Sequence, residues 1–167
     1  MLCDLILGNV SSAGPDWGEQ DLVDVTWQEC GKRALHKRSR SGRDVKILLP
    51  LGVRARHGDV LFVDPRGCIV VNVPPCEVLV ARGVNLREMG LLALELGNLH
   101  VPTEIGVDGE IVALCDGPIE ALFARYGIAF ERQTRRFAPL PVEVAPHLRL
   151  AENFRVLHSL QTSSYPK

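Results

Sequence analysis

His100 stands in the run Leu94-Glu95-Leu96-Gly97-Asn98-Leu99-His100-Val101-Pro102. Imidazole is a good ligand for nickel, copper and zinc. Of the five histidines in the chain, this one has the tightest punctuation around it. Gly97 and Asn98 tolerate the left-handed backbone that closes a helix, and Pro102 stops the helix from continuing. The run therefore predicts an imidazole held just beyond a helix C-terminus and just before a strand. Two roles fit. A histidine there can cap the last carbonyls and favour the negative end of the helix dipole. It can also ligate a metal, but metal sites draw on several ligands. That second role needs ligands from elsewhere in the chain, or a second His100 across a two-fold axis.

Other reactive groups are less organised. His147 and His158 are the remaining histidines in the C-terminal part of the chain. Either could fold back as a supplementary ligand, His158 ahead of His147 because Phe154–His158 is the more apolar segment. The plain alternative makes both surface residues. The five cysteines, Cys3, Cys30, Cys68, Cys76 and Cys115, contain no CxxC pair. That excludes a zinc ribbon or thioredoxin-type motif and points to reduced thiols in a cytoplasmic protein. Asp59 and Asp64 flank an apolar run, where turn chemistry accounts for both. No Ser-His-Asp order, P-loop or HExxH appears, so no catalysis is expected. The basic run Lys32–Arg43 is either a solvated strand-loop segment or a docking patch for an acidic or nucleotide-bearing partner.

Composition sets outer bounds. The 167 residues are 46% hydrophobic and 23% charged, with net charge −1, as in ordinary globular proteins. The balance gives no global field for nucleic acid or an anionic membrane. No apolar run is long enough to span a bilayer. Met1–Gly8 is apolar without a basic leader and reads as a first strand rather than a signal peptide.

The elements that must position His100 follow from periodicity. Residues 1–75 read as a β-rich domain, a small sandwich or barrel. Its strands are 21–27, with Val23, Val25 and Trp27 on one face, then 45–49, 59–63 and 68–73. Asp64-Pro65-Arg66-Gly67 forms a turn between the last two. Pro74-Pro75 marks a boundary. Residues 76–137 alternate differently. A strand at 77–81 precedes a helix over 86–96, capped by Asn85, with Leu86, Met89, Leu92, Ala93 and Leu96 at three-and-four spacing. Strands at 103–107 and 110–114 flank an Asp108-Gly109 turn. A second helix starts at Asp116 with Pro118 in its first turn and ends at Gly127, before a strand at 128–133. The order βαββαβ is the ferredoxin-like split motif, so the fold class is α+β. RNA-binding domains share this order but need exposed aromatics on the central strands. Here those strands carry Val, Ile, Leu and Ala, which disfavours nucleic acid. Residues 138–167 read as a tail, with Pro139, Pro141 and Pro146 against regular structure at its start.

A β-rich domain, a ferredoxin-like domain and a Gly-Asn-x-His-x-Pro element after its first helix together resemble the UreE family of urease accessory proteins. Leu51-Gly52-Val53, His57-Gly58-Asp59-Val60-Leu61 and Pro75-Cys76-Glu77-Val78-Leu79-Val80 also match the family pattern, and the resemblance spans roughly residues 20–137. It implies a non-enzymatic nickel metallochaperone that serves urease assembly as a homodimer. His100 would bind nickel at the dimer face, with zinc or copper as other occupants of the same site. A metal-bridged tetramer, the apo-urease complex and the accessory GTPase are the implied partners. Two departures stand out. Leu99 occupies a place usually held by Arg, and the histidine-rich tail of many members is missing. Both leave open a second reading, a protein-interaction module of the same fold without metal delivery.

Overall fold

Alternation of apolar and polar residues fixes the strands of the first half. In Asp44–Leu48, Val45 and Ile47 are buried while their neighbours face solvent, the period-two pattern of a half-buried sheet. The computed structural model describes residues 1–82, 85–106 and 109–140.

Seven strands build the N-terminal half: β1 (Leu2–Cys3), β2 (Gly8–Asn9), β3 (Gln20–Asp24), β4 (Ala34–Arg38), β5 (Asp44–Leu48), β6 (Asp59–Asp64) and β7 (Gly67–Asn72). They form two sheets, ordered β1-β5-β4 and β2-β6-β7-β3. Cys3, Val23, Val25, Val45, Ile47, Leu49, Leu61, Ile69 and Val71 fill the space between them, the interdigitated core of a sandwich. The N-terminal run is not one strand. Leu2–Cys3 pairs parallel with β5 in one sheet, and Gly8–Asn9 pairs antiparallel with β6 in the other. The chain crosses between sheets there, so neither piece grows. Gly67 closes the β6–β7 turn at φ +115°, where a Cβ would meet the Glu19 carbonyl oxygen at 2.1 Å. Only glycine fits that approach.

The second half holds β8 (Cys76–Ala81), α1 (Leu86–Asn98), β9 (Thr103–Ile105), β10 (Ile111–Leu114), α2 (Gly117–Arg125) and β11 (Phe130–Arg135). The sheet order β11-β8-β10-β9, with every neighbouring pair antiparallel, is the ferredoxin-like arrangement. The molecule is thus α+β. Gly109 lies at the β9–β10 connection with φ +76°; Asp108, its expected turn partner, is outside the described residues.

Leu92 and Leu96 of α1 and Ile119 and Phe123 of α2 bury against one face of this sheet. Leu86 does not join them. It is 92% exposed, because the buried stripe of α1 runs through Leu92 and Leu96, with Met89 and Ala93 at its margin. The opposite face, Val78, Val80 and Val112, is covered by Phe137 and by Trp27 from the first half. Trp27 lies beyond the end of β3 rather than on it. Its ring meets Phe137 edge-on, with centroids 5.1 Å apart. The segment after β11 continues along β9: the Ala138 N–H donates to Glu104 at 2.7 Å, and the Leu140 N–H donates to the Thr103 carbonyl at 2.8 Å. The start of the expected tail is therefore docked, though it forms no strand or helix.

Candidate metal site

Asn85 starts α1 as expected, its side chain accepting the Glu88 N–H at 3.0 Å. The other end departs from expectation. Gly97 and Asn98 remain helical, Leu99 is the C-cap in right-handed geometry, and His100 itself takes the left-handed conformation at φ +54°. The His100 N–H donates to the Gly97 carbonyl and the Val101 N–H to the Leu96 carbonyl, both at 3.0 Å. These are the paired bonds of a Schellman motif, with Leu96 and Val101 in the same apolar cluster. Burial of Leu96 and Val101 sets where the helix ends, so the turn falls after Leu99 rather than at the glycine.

The second helix supplies an internal standard. There Gly127 is left-handed at φ +66°. Its N–H donates to the Ala124 carbonyl, and the Ile128 N–H to the Phe123 carbonyl. The two helices end in the same motif, and His100 stands where the second helix has glycine. Among the described residues, His100 is the one non-glycine with positive φ. Such a side chain costs of order 1 kcal/mol or more.

In return the imidazole is exposed. No hydrogen bond or ion pair of its side chain occurs among the described residues. It does not cap the helix through its ring. The last turn of α1 carries no basic residue, so no side-chain cation offsets its negative end. Leu99 beside it is 58% exposed. Among the described residues, no three His, Cys, Asp or Glu side chains gather to hold a metal ion. Among the described residues, His100 therefore has no companion ligand. His147 and His158 lie outside the described residues.

The other reactive groups are accounted for within the fold. Cys3, Cys30 and Cys68 are buried, Cys76 and Cys115 half-buried, and all five are free. Burial pushes every one of these thiols above its ordinary value, against thiolate reactivity. Asp59 accepts from the Arg56 N–H and from Asn9. Asp64 accepts the Arg66 N–H. They stand at the two ends of β6 and bond the backbone of the adjoining turns. The basic run is largely neutralised in place. Lys37 pairs with Glu29, Arg38 with Asp44, Arg40 with Asp24 and Arg43 with Asp64, which removes most of the field a docking patch would need.

Comparison with known proteins adds a family context. The family model for the UreE urease accessory protein N-terminal domain matches residues 4–74. The chain is 30% identical to the urease accessory protein UreE of Acetivibrio thermocellus, over 84% of this chain and 92% of that one. It is 33% identical to the Flavobacterium johnsoniae protein of the same name, over 76% and 78%. For the Actinomyces naeslundii protein the figures are 32%, 88% and 99%.

Proposed function

The chain belongs to the UreE family of urease accessory proteins, and from that premise we propose that it carries nickel to apo-urease during assembly of the urease active site, without itself being an enzyme. The observation that carries this reading is His100. A strained backbone position that glycine fills at the other helix presents an exposed imidazole with no side-chain partner among the described residues. Strain kept without a structural return is a mark of a functional site.

A lone imidazole is a weak holder of a divalent ion, and that suits a carrier, which must release its cargo. Two copies related by a two-fold axis bring two imidazoles together. Leu86 and Leu94, two turns apart on α1 and 92% and 60% exposed, with Leu99 beside the imidazole, give the homodimer an apolar contact of its own. A tail histidine, His158 before His147, or water completes the shell. Zinc and copper suit the same donors. A metal-bridged tetramer, the apo-urease complex and the accessory GTPase are the partners this role requires, in the cytoplasm. Among the described residues no helix is long and apolar enough to cross a membrane.

A second reading is favoured by Leu99. An exposed leucine in place of a cation suits an interaction module that keeps the fold without delivering metal. Calorimetric nickel titration of wild type and His100→Gly separates the two. The chaperone reading expects saturable binding that the substitution removes. Identical isotherms would favour the interaction module.

A further inference from the structure

Away from His100, Arg54 and Arg56 of one loop and Arg136, eighty residues on, line one cavity of about 490 Å³. The volume is typical of small-molecule sites. Its floor is apolar: Trp27, Ala55, Val73, Phe137 and Leu140. No aspartate or glutamate lines it.

Six other arginines are neutralised within the fold. Arg38, Arg40, Arg43, Arg82, Arg132 and Arg135 each pair with a carboxylate. Among the described residues, none of the three cavity arginines forms an ion pair or a side-chain hydrogen bond. In a chain with twenty acidic residues against nineteen basic ones, three exposed arginines around one apolar hollow, with no acid among its lining residues, are a local excess of positive charge. A low-dielectric wall strengthens the field of such a group. His57 lies on the same wall. Its Nδ1 accepts the Val73 N–H at 3.3 Å, which assigns the proton to Nε2. Burial and the charge of Arg136 hold the imidazole below its ordinary value, so it adds a neutral donor rather than a fourth cation.

We propose that this cavity binds a small organic anion in which an apolar body is joined to a phosphate or carboxylate group. The guanidinium fork matches either oxyanion in bidentate geometry, and the apolar floor takes the body. Arg54 and Arg56 belong to the loop before β6 and Arg136 follows β11. The ligand therefore joins the sandwich to the ferredoxin-like sheet.

The test is calorimetric titration of the full-length, metal-free chain with phenyl phosphate and with phenylacetate, followed by inorganic phosphate and phenol. Chelator is present throughout, so the outcome is independent of nickel and His100. Saturable 1:1 binding by at least one of the two ring-bearing anions is expected, the tighter one identifying the head group. Inorganic phosphate and phenol should bind at least about tenfold more weakly. Each of Arg54→Ala, Arg56→Ala and Arg136→Ala should weaken binding about tenfold, the loss of one charge-assisted hydrogen bond, and the triple variant should abolish it. Arg40→Ala, whose guanidinium is paired with Asp24, should change nothing. Circular dichroism checks that the variants fold. Failure of both ring-bearing anions to saturate would overturn the proposal. So would binding that survives in the triple variant, or inorganic phosphate binding as tightly as phenyl phosphate.

Discussion

At His100 the backbone and the side chain have opposed interests. The Schellman turn wants glycine, as α2 has at Gly127, while a ligand needs the imidazole. His100→Gly should therefore relieve the turn. Its unfolding free energy in urea should equal that of wild type or exceed it by up to about 1 kcal/mol, less the chain entropy glycine adds. Nickel binding should be lost in the same variant. The mirror substitution, Gly127→His, should cost about 1–2 kcal/mol and leave nickel affinity unchanged. If His100→Gly unfolds far more easily than wild type, the imidazole has a structural task after all. The sequence placed this histidine just beyond the end of its helix, where the fold has it. It misplaced the left-handed residue onto Gly97 or Asn98, because local preference names the residues that tolerate the turn, whereas burial of Leu96 and Val101 decides where the turn falls.

Elements were legible in proportion to how much of their own burial pattern they carry. β5, β6, β7, β8 and both helices have long periodic runs and lie where the pattern placed them. β1 and β2 have two residues each, and their partners in two different sheets leave no local trace. Leu86 fits helical spacing yet faces solvent. Leu96→Ala should therefore cost about 2–5 kcal/mol of stability. Leu86→Ser should change monomer stability by no more than about 0.5 kcal/mol and raise the dimer dissociation constant in sedimentation experiments. The ion pairs across the second sheet make a different prediction. Arg82 first and then Arg135 hydrogen-bond Glu110 and hold its carboxyl below the usual value of 4.5. The unfolded chain then binds this proton more readily than the folded one. The stabilisation is present above the ordinary carboxylate value and is lost as pH falls through the depressed one. Urea midpoints measured from neutral pH down to about pH 3 should fall less steeply for Glu110→Gln than for wild type.

Across the whole molecule, charge behaves contrary to its distribution in sequence. The dense basic run is mostly paired within its own sandwich, while Arg54, Arg56 and Arg136 draw no notice in sequence and meet at one cavity without an ion pair among the described residues. Only the three-dimensional path of the chain after β11 brings them together, and no local pattern encodes it. The same path settles how the C-terminal region should be tested. Ala138 and Leu140 are bonded to Glu104 and Thr103, and Leu140 lines the cavity. A cut after Ala138 would disturb β9 along with the tail. A cut after Leu140 keeps these bonds and removes both His147 and His158. A dimer offers two His100 imidazoles, fewer ligands than nickel favours, and the described residues contribute no cluster to complete the shell. The chain ending at Leu140 should therefore remain a dimer by light scattering. It should bind nickel at least about tenfold more weakly than the full chain, a loss of about 1.4 kcal/mol, and restoring residues 141–167 with His158→Ala should leave most of that loss in place. Unchanged nickel affinity and stoichiometry after the cut would assign the whole protein contribution to the paired His100 residues and make the two tail histidines surface groups.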